Sequence, residues 1–324
     1  MKKAIFFLSI LFLLSCSNNE VTYQKISGSA FGTTYNIIYQ DYENSNFEKQ
    51  FDSLIYVVNK SMSIYLKNSD ISKINQGDTT IKIDNHFKEV FLKSQRIFNE
   101  TDGYFDPTVG VLVNAWGFGP GKPIKNLDAV KVDSLMQYVG FNKVKLVVDK
   151  IEKDHPEIYF DFNAIAKGYG IDEIGRYLEN QNCSNYLIEL GGEIRAKGVN
   201  DLGNVWHVAI EDPNTDGTRS FSEVVSLENK AMASSGNYRK FKIDITGKKF
   251  VHTINAKTGY AIESNLLAAT VIANLDCADA DGYATAFMAM GFEKTKIFLE
   301  NHPELKVYLI YVNDNSEARQ VILN

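Results

Sequence analysis

The order in which apolar periodicity changes along this chain limits its fold more than any other feature. Phe87, Val90, Phe91, Ser94, Ile97 and Phe98 follow the i, i+3, i+4, i+7 pattern of one helix face. Phe47, Phe51, Leu54 and Val58 give a second such face. Two further helices are predicted, one from near Ile165 past Ile171 and Ile174 to Leu178, the other over 281–290. Strand-like runs lie between them, at 143–148, 158–162, 186–190, 206–210, 241–245, 267–273 and 306–312, and Gly, Asn and Asp bound most of these. A hairpin is expected around 240–252, turning at Thr246-Gly247-Lys248-Lys249. Hairpins beside long helices predict an α+β fold with an antiparallel sheet and flanking helices, not a doubly wound parallel sheet. No shift in composition interrupts the pattern, so residues 26–324 are expected to form one unit.

The first residues follow another pattern. Lys2 and Lys3 precede an apolar run from Ala4 to Leu14 broken only by Ser9. That run is short for a membrane span and fits the apolar region of a signal peptide. It ends in Leu13-Leu14-Ser15-Cys16, which resembles a bacterial lipobox. Residues 1–15 are therefore read as a lipoprotein signal peptide, Cys16 as the lipidated residue and 16–25 as a tether. Ser17-Asn18-Asn19-Glu20 has nothing apolar to bury. The bland alternative is an ordinary signal peptide with a chance cysteine. Either reading exports the chain; the lipoprotein reading also anchors it to a membrane, facing the periplasm. Cys183 and Cys277 match no zinc spacing, and one disulfide or two buried thiols both remain open. The net charge of −6 carries no basic surplus, so no nucleic-acid partner is expected.

None of the five histidines (His86, His155, His207, His252, His302) forms an HxxxH or HxH pair, which argues against a zinc hydrolase. There is no G-x-S-x-G elbow. Gly117-Phe118-Gly119-Pro120-Gly121-Lys122 has the wrong glycine spacing for a phosphate loop, and Pro123 follows its lysine. Three aspartates, Asp276, Asp279 and Asp281, crowd the start of the last predicted helix. Asp281 and Thr285 are four apart and share a helix face. A carboxylate beside a hydroxyl suits Mg²⁺ or Ca²⁺, while helix capping is the plain alternative. Asp161-Phe162-Asn163-Ala164-Ile165-Ala166-Lys167 runs from a strand end into a helix start, where amides and a lysine can hold an anion. An ordinary turn with a surface lysine explains the same residues. Leu190-Gly191-Gly192-Glu193 lets the backbone approach a ligand or simply another strand. Phe31, Tyr65, Tyr104, Phe105, Trp116 and Phe118 can stack on a planar ligand or pack a core.

Taken in order, these segments resemble one family, the FAD:protein FMN transferases, also called the thiamine-biosynthesis lipoprotein ApbE family. The resemblance opens at Phe31-Gly32-Thr33-Thr34-Tyr35 and continues through Met62-Ser63-Ile64-Tyr65 and Ser69-Asp70-Ile71. It then takes in Thr101-Asp102-Gly103-Tyr104-Phe105-Asp106-Pro107, Trp116-Gly117-Phe118-Gly119, the segment from Asp161 to Tyr169, and Glu189-Leu190-Gly191-Gly192-Glu193. Ser234-Ser235-Gly236-Asn237-Tyr238-Arg239, the stretch from His252 to Gly259, and Ala280-Asp281-Gly282-Tyr283-Ala284-Thr285 complete it. Phe31 stands where the family usually has Met, Asn255-Ala256 where it has Asp-Pro, and Gly282-Tyr283 where it has Ala-Leu.

The resemblance implies a fold built around an FAD cleft, with 26–324 as the catalytic unit and FAD as substrate. It implies Mg²⁺ held by Asp281, Thr285 and the carbonyl of Ala164. It assigns flavin contacts to Phe31, Tyr65, Trp116, Gly117 and Phe118, and further FAD contacts to Asp161, Lys167, His252 and Thr253. The implied reaction is transfer of FMN to a threonine or serine of an acceptor flavoprotein, such as a subunit of a redox-driven ion pump, with release of AMP. Asp281 and His252 are its implied catalytic residues. Hydrolysis of FAD to FMN and AMP, or flavin binding without chemistry, are the alternatives.

Overall fold

The computed structural model describes residues 22–41, 45–212, 220–237, 241–243, 249–261 and 265–324, with backbone alone at 222, 241–243, 249 and 250. The signal segment, Cys16 and the hairpin turn at 244–248 lie outside the described residues. The elements run β1 (Thr22–Ala30), β2 (Thr33–Asp41), α1 (Glu48–Met62), α2 (Asp70–Asn75), α3 (Asn85–Glu100), α4 (Gly110–Trp116) and α5 (Ala129–Met136). Next come β3 (Val144–Val147), β4 (Lys150–Lys153), α6 (Ala166–Asn180), β5 (Tyr186–Leu190), β6 (Glu193–Lys197), β7 (Trp206–Glu211) and β8 (Phe221–Leu227). The chain continues through β9 (Lys230–Gly236), β10 (Phe241–Ile243), β11 (Lys249–Val251), β12 (Leu266–Ala273), α7 (Cys277–Met290), α8 (Phe292–Leu299), β13 (Leu305–Val312) and β14 (Ala318–Leu323).

Eight strands form one sheet in the order β1-β2-β5-β6-β9-β12-β13-β14, each antiparallel to its neighbours. Alternation fixes its two faces. Tyr186, Ile188 and Leu190 of β5 are buried in the same core as Ile171, Ile174 and Leu178 of α6. On the opposite face, Trp206, Ile210, Val225 and Leu227 of the β7–β8 hairpin cover Ile194, Ala196, Met232, Ile272 and Tyr308. This is the α+β architecture with an antiparallel sheet and flanking helices that the periodicity predicts. No helix of the described residues is long and apolar enough to cross a membrane.

Helix α7 is buried on nearly every side, because Ala278, Ala280, Gly282, Ala284 and Ala286 let its neighbours approach. A Cβ on Gly282 would lie 2.7 Å from Ile97 of α3, which accounts for glycine at that position. The helix starts at Cys277, four residues before the start expected at 281, so Asp281 sits in its second turn. The expected strand at 158–162 is extended chain with a single bridge between Val109 and Tyr159. Its backbone is satisfied elsewhere: the Asn75 amide bonds both the N–H and the carbonyl of Phe160, and the Asp161 N–H donates to Pro107. The fold begins at Thr22, inside the segment read as tether, where 22–25 pair with β2. Cys183 and Cys277 are free, buried thiols.

Candidate active site

Helices α6 and α7 meet at their N-terminal ends, and glycine makes the meeting possible. A Cβ on Gly168 would sit 2.5 Å from the Cys277 carbonyl oxygen. The Gly168 N–H then donates to Asp281 Oδ2 at 3.2 Å. The crowded aspartates of 276–281 divide here. Asp276 pairs with Lys93, Arg176 and Arg195, and Asp279 with Lys93 and Arg96. Those two are structural. Asp281, 3% exposed, faces Gly168 and the field of Lys167.

Burial pushes the Asp281 carboxyl up, against the pull of Lys167 and the Gly168 amide. Burial alone lowers the Lys167 ammonium, but Asp281 and then Glu193 outweigh it and raise it. Lys167 is ion-paired with Glu193, whose carboxyl burial pushes up to about 7 despite that pairing. One turn beyond Asp281, the Thr285 hydroxyl is 3.1 Å from that of Ser235 on β9. The enclosed Asp281 carboxylate, with hydroxyls one turn away, fits a hard divalent cation by donor chemistry. Among the described residues no three of His, Cys, Asp and Glu gather into a metal-binding set. The fit therefore rests on one carboxylate with hydroxyl and carbonyl oxygens. Ala164, half-buried in the turn before α6, lies between Asp161 and Lys167 along the chain.

The segment 161–167 joins this cluster to an aromatic group. Asp161 is 9% exposed, and burial pushes its carboxyl up to about 6 while the Asn163 amide, 2.9 Å away, pulls it down. Tyr65, 60% exposed, has its hydroxyl near Asn163 and in the field of Asp161. Tyr159 connects to Asn114 of α4. At the end of that helix the Trp116 indole N–H donates to the Gly259 carbonyl at 2.9 Å, and its ring lies 6.1 Å from that of Tyr260. Gly117, at φ +77, ends the helix in the left-handed conformation and turns the chain into half-buried Phe118.

Phe31 caps the β1–β2 turn at φ +50, uncommon for a bulky side chain. Its ring lies where a Cβ on Gly170 would come within 2.8 Å of it. It also lines a cavity of about 500 Å³ with Gly32, Thr33, Ile55 and Asn59. His252 follows β11, half-buried, and its neighbour Thr253 donates to Asn237 Oδ1 at 2.9 Å. Asn237 lies two residues beyond Ser235, so this loop reaches the same end of β9.

The structure thus brings Asp161, Ala164, Lys167 and Asp281 together around the start of α6, with Thr285 one turn beyond Asp281; Phe31 meets the same helix at Gly170, Trp116 meets Gly259 and Thr253 meets Asn237. Sequence reasoning left Glu193, Ser235, Gly168 and Asn237 without a role, although the first lay in a noted glycine turn. Asn255 has a structural task. Its Oδ1 accepts from the Lys257 N–H at 2.9 Å and its amide donates to the Ala289 carbonyl at 3.4 Å, a bond an aspartate cannot donate.

Comparison with known proteins shows the family. The family model described as "ApbE family" matches residues 31–309. A Haemophilus influenzae protein named FAD:protein FMN transferase is 38% identical over 315 residues, covering 93% of this chain and 90% of that protein. One of the same name from Vibrio cholerae is 34% identical, covering 95% and 93%. Among solved structures, the flavin transferase ApbE from Vibrio cholerae superposes with a TM-score of 0.83 at 32% identity, over 94% of this chain and 98% of that one. The apo form of Pseudomonas stutzeri flavinyl transferase ApbE gives 0.82 at 25% identity, over 94% and 95%. With the fold, the motif order and the relatives in agreement, the chain belongs to the ApbE family.

Proposed function

We propose that this enzyme, an FAD:protein FMN transferase like its relatives, moves FMN from FAD to a threonine or serine hydroxyl of an acceptor flavoprotein and releases AMP. The observation that carries the reading is the enclosed Asp281 carboxylate beside Lys167, one helical turn from Thr285. A diphosphate needs neutralisation and in-line placement more than covalent help. Asp281, Thr285 and the Ala164 carbonyl would hold Mg²⁺, which when bound supplies positive charge to the phosphate oxygens. Lys167 adds a second positive charge on the same side. Tyr65, Trp116 and Phe118 give apolar and aromatic surface for the flavin, and the Phe31 ring, packed against Gly170 of α6, adds to it.

In the transfer, the acceptor oxygen bonds to the flavin-side phosphorus as the bond from that phosphorus to the AMP oxygen breaks. His252 takes the hydroxyl proton and AMP leaves with the electron pair. Residues 1–15 act as the export signal, and Cys16 carries the lipid that holds the enzyme to a membrane, facing the periplasm. An exported subunit of a redox-driven ion pump, or a related flavoprotein, suits that location as acceptor.

The test is incubation of the detergent-solubilised whole chain with FAD, Mg²⁺ and a peptide bearing a Ser/Thr-Gly-Ala-Thr-like motif. A covalent adduct heavier than the peptide by FMN less one water is expected, with one AMP per adduct. AMP formed equally fast without peptide would replace transfer by hydrolysis, and FAD binding without AMP would leave a flavin carrier.

A further inference from the structure

The turn Gly191-Gly192-Glu193 between β5 and β6 has no role in the reaction as drawn, yet it reaches the centre of the site. Both glycines are left-handed, at φ +65 and +108. A Cβ on Gly191 would lie 2.7 Å from the Thr33 methyl, so the turn presses against the one that carries Phe31. A Cβ on Gly192 would meet nothing within 4 Å, so this side of the turn is open. Glu193 then points inward and is 2% exposed. Its Oε1 holds the Lys167 ammonium. Its Oε2 is enclosed and has no hydrogen-bond partner among the described residues.

A buried carboxylate oxygen without a donor is expensive, and folded proteins keep few of them. A ligand donor would repair it. The two carboxylates beside Lys167 differ in what they can take. Glu193 is already neutralised by direct contact with the ammonium, which would repel a cation from that side. Asp281 lies in the field of the same ammonium, but its close contact is with a neutral amide and not with the ammonium itself. What remains suited to Glu193 Oε2 is an uncharged donor, and hydroxyls are the donors that both substrates of a flavin transfer bring.

We propose that Glu193 is a further binding residue of this site: Oε1 holds Lys167 in place, and Oε2 accepts a hydrogen bond from a substrate hydroxyl. The inference rests on the transferase reading. The hydroxyl belongs either to the dinucleotide or to the acceptor side chain, and the test separates the two.

Glu193→Gln is the informative variant. Lys167 needs an acceptor, so the amide oxygen stays with it and the NH₂ falls where Oε2 was, turning an acceptor into a donor. FAD affinity is measured by flavin fluorescence with Mg²⁺ and no acceptor, and transfer by the mass of the peptide adduct. A loss of about tenfold or more is expected, the size of a hydrogen bond to a charged group. It appears in the Kd for FAD if the hydroxyl is the dinucleotide's. It appears in the KM for peptide or the adduct rate, with the Kd for FAD unchanged, if the hydroxyl is the acceptor's. A folded variant with both unchanged overturns the proposal. Glu193→Asp, which keeps the charge but is too short to serve both partners, should show the same loss and decides the matter if the glutamine variant does not fold. A wild-type chain that binds FAD yet labels no peptide removes the transferase reading instead, and an unchanged Kd in Glu193→Gln then overturns this proposal too.

Discussion

Asp172 of α6 caps α7: its Oδ1 accepts from the Cys277 N–H at 2.8 Å, and its Oδ2 accepts from the Ala278 N–H at 2.9 Å. The residue at the cap position itself, Asp276, makes no side-chain cap bond, because Lys93, Arg176 and Arg195 hold its carboxylate. Asp172 also pairs with Arg195 at 2.7 Å. Asp172→Ala should therefore strand two first-turn amides and one face of a half-buried guanidinium. A loss of about 3–5 kcal/mol is expected, read from urea unfolding. Asp281 lies four residues beyond Cys277, so the milder Asp172→Asn should also raise the Mg²⁺ concentration needed for half-maximal transfer.

Gly170 offers a different probe. A Cβ there meets the end of the Phe31 ring at 2.8 Å, a side chain at a turn that can swing aside. Gly168, by contrast, would meet backbone at 2.5 Å. Gly170→Ala is expected to leave the unfolding free energy within about 1 kcal/mol of wild type while weakening FAD binding several-fold. Gly168→Ala should cost about 1–3 kcal/mol of stability. Equal melting losses in the two variants would show that Phe31 is fixed by the core and not by the ligand.

How far the sequence reveals this arrangement depends on what each residue type can say alone. The helix faces of Phe87 to Phe98 and the alternating strands speak through periodicity, and the structure has them as α3 and as strands of the sheet. Strand β9 (Lys-Ala-Met-Ala-Ser-Ser-Gly) is small and polar at its end, and β1 (Thr-Tyr-Gln-Lys-Ile-Ser-Gly-Ser-Ala) is mostly polar and buried only at Ala30, so neither gives an alternating apolar signal. The stretch 158–162 misleads for the opposite reason. It is apolar and extended, but Asn75, far away in sequence, takes its backbone bonds. In the site, Asp281 and Thr285 are legible because four-residue spacing has one meaning on a helix. Glu193 is not, because its partner Lys167 lies 26 positions away and only the fold brings them together.

Removing the Asp281 carboxylate tests the centre of the site. Asp281→Ala should abolish Mg²⁺-dependent AMP release and peptide labelling together, since both need the same phosphate charge to be neutralised. His252→Ala should behave otherwise, keeping FAD affinity while slowing the adduct by about 10²-fold or more, the usual contribution of a positioned base. Full labelling by Asp281→Ala would remove the metal assignment, and unchanged turnover in His252→Ala would remove the base.

Asp106 makes a pH prediction independent of the reaction. Its Oδ1 accepts from the Thr108 amide at 2.8 Å and the Thr108 hydroxyl at 2.6 Å, and its Oδ2 from the Phe141 amide at 3.2 Å. Burial nonetheless pushes its carboxyl from 3.8 up to about 6, outweighing those three bonds. The folded chain then binds a proton more tightly at this position than the unfolded one. Stability from Asp106 is therefore greatest below about pH 4 and falls as pH rises through about 6. A shift of that size corresponds to about 3 kcal/mol. Asp106→Asn removes the proton site and loses part of the hydrogen bonding at every pH. The variant should be less stable than wild type at pH 4, and the gap should narrow by about 2–3 kcal/mol at pH 7. Paired urea titrations at the two pH values measure it. A gap that stays constant or widens toward pH 7 would mean that the three donors hold this carboxylate ionised in the folded chain.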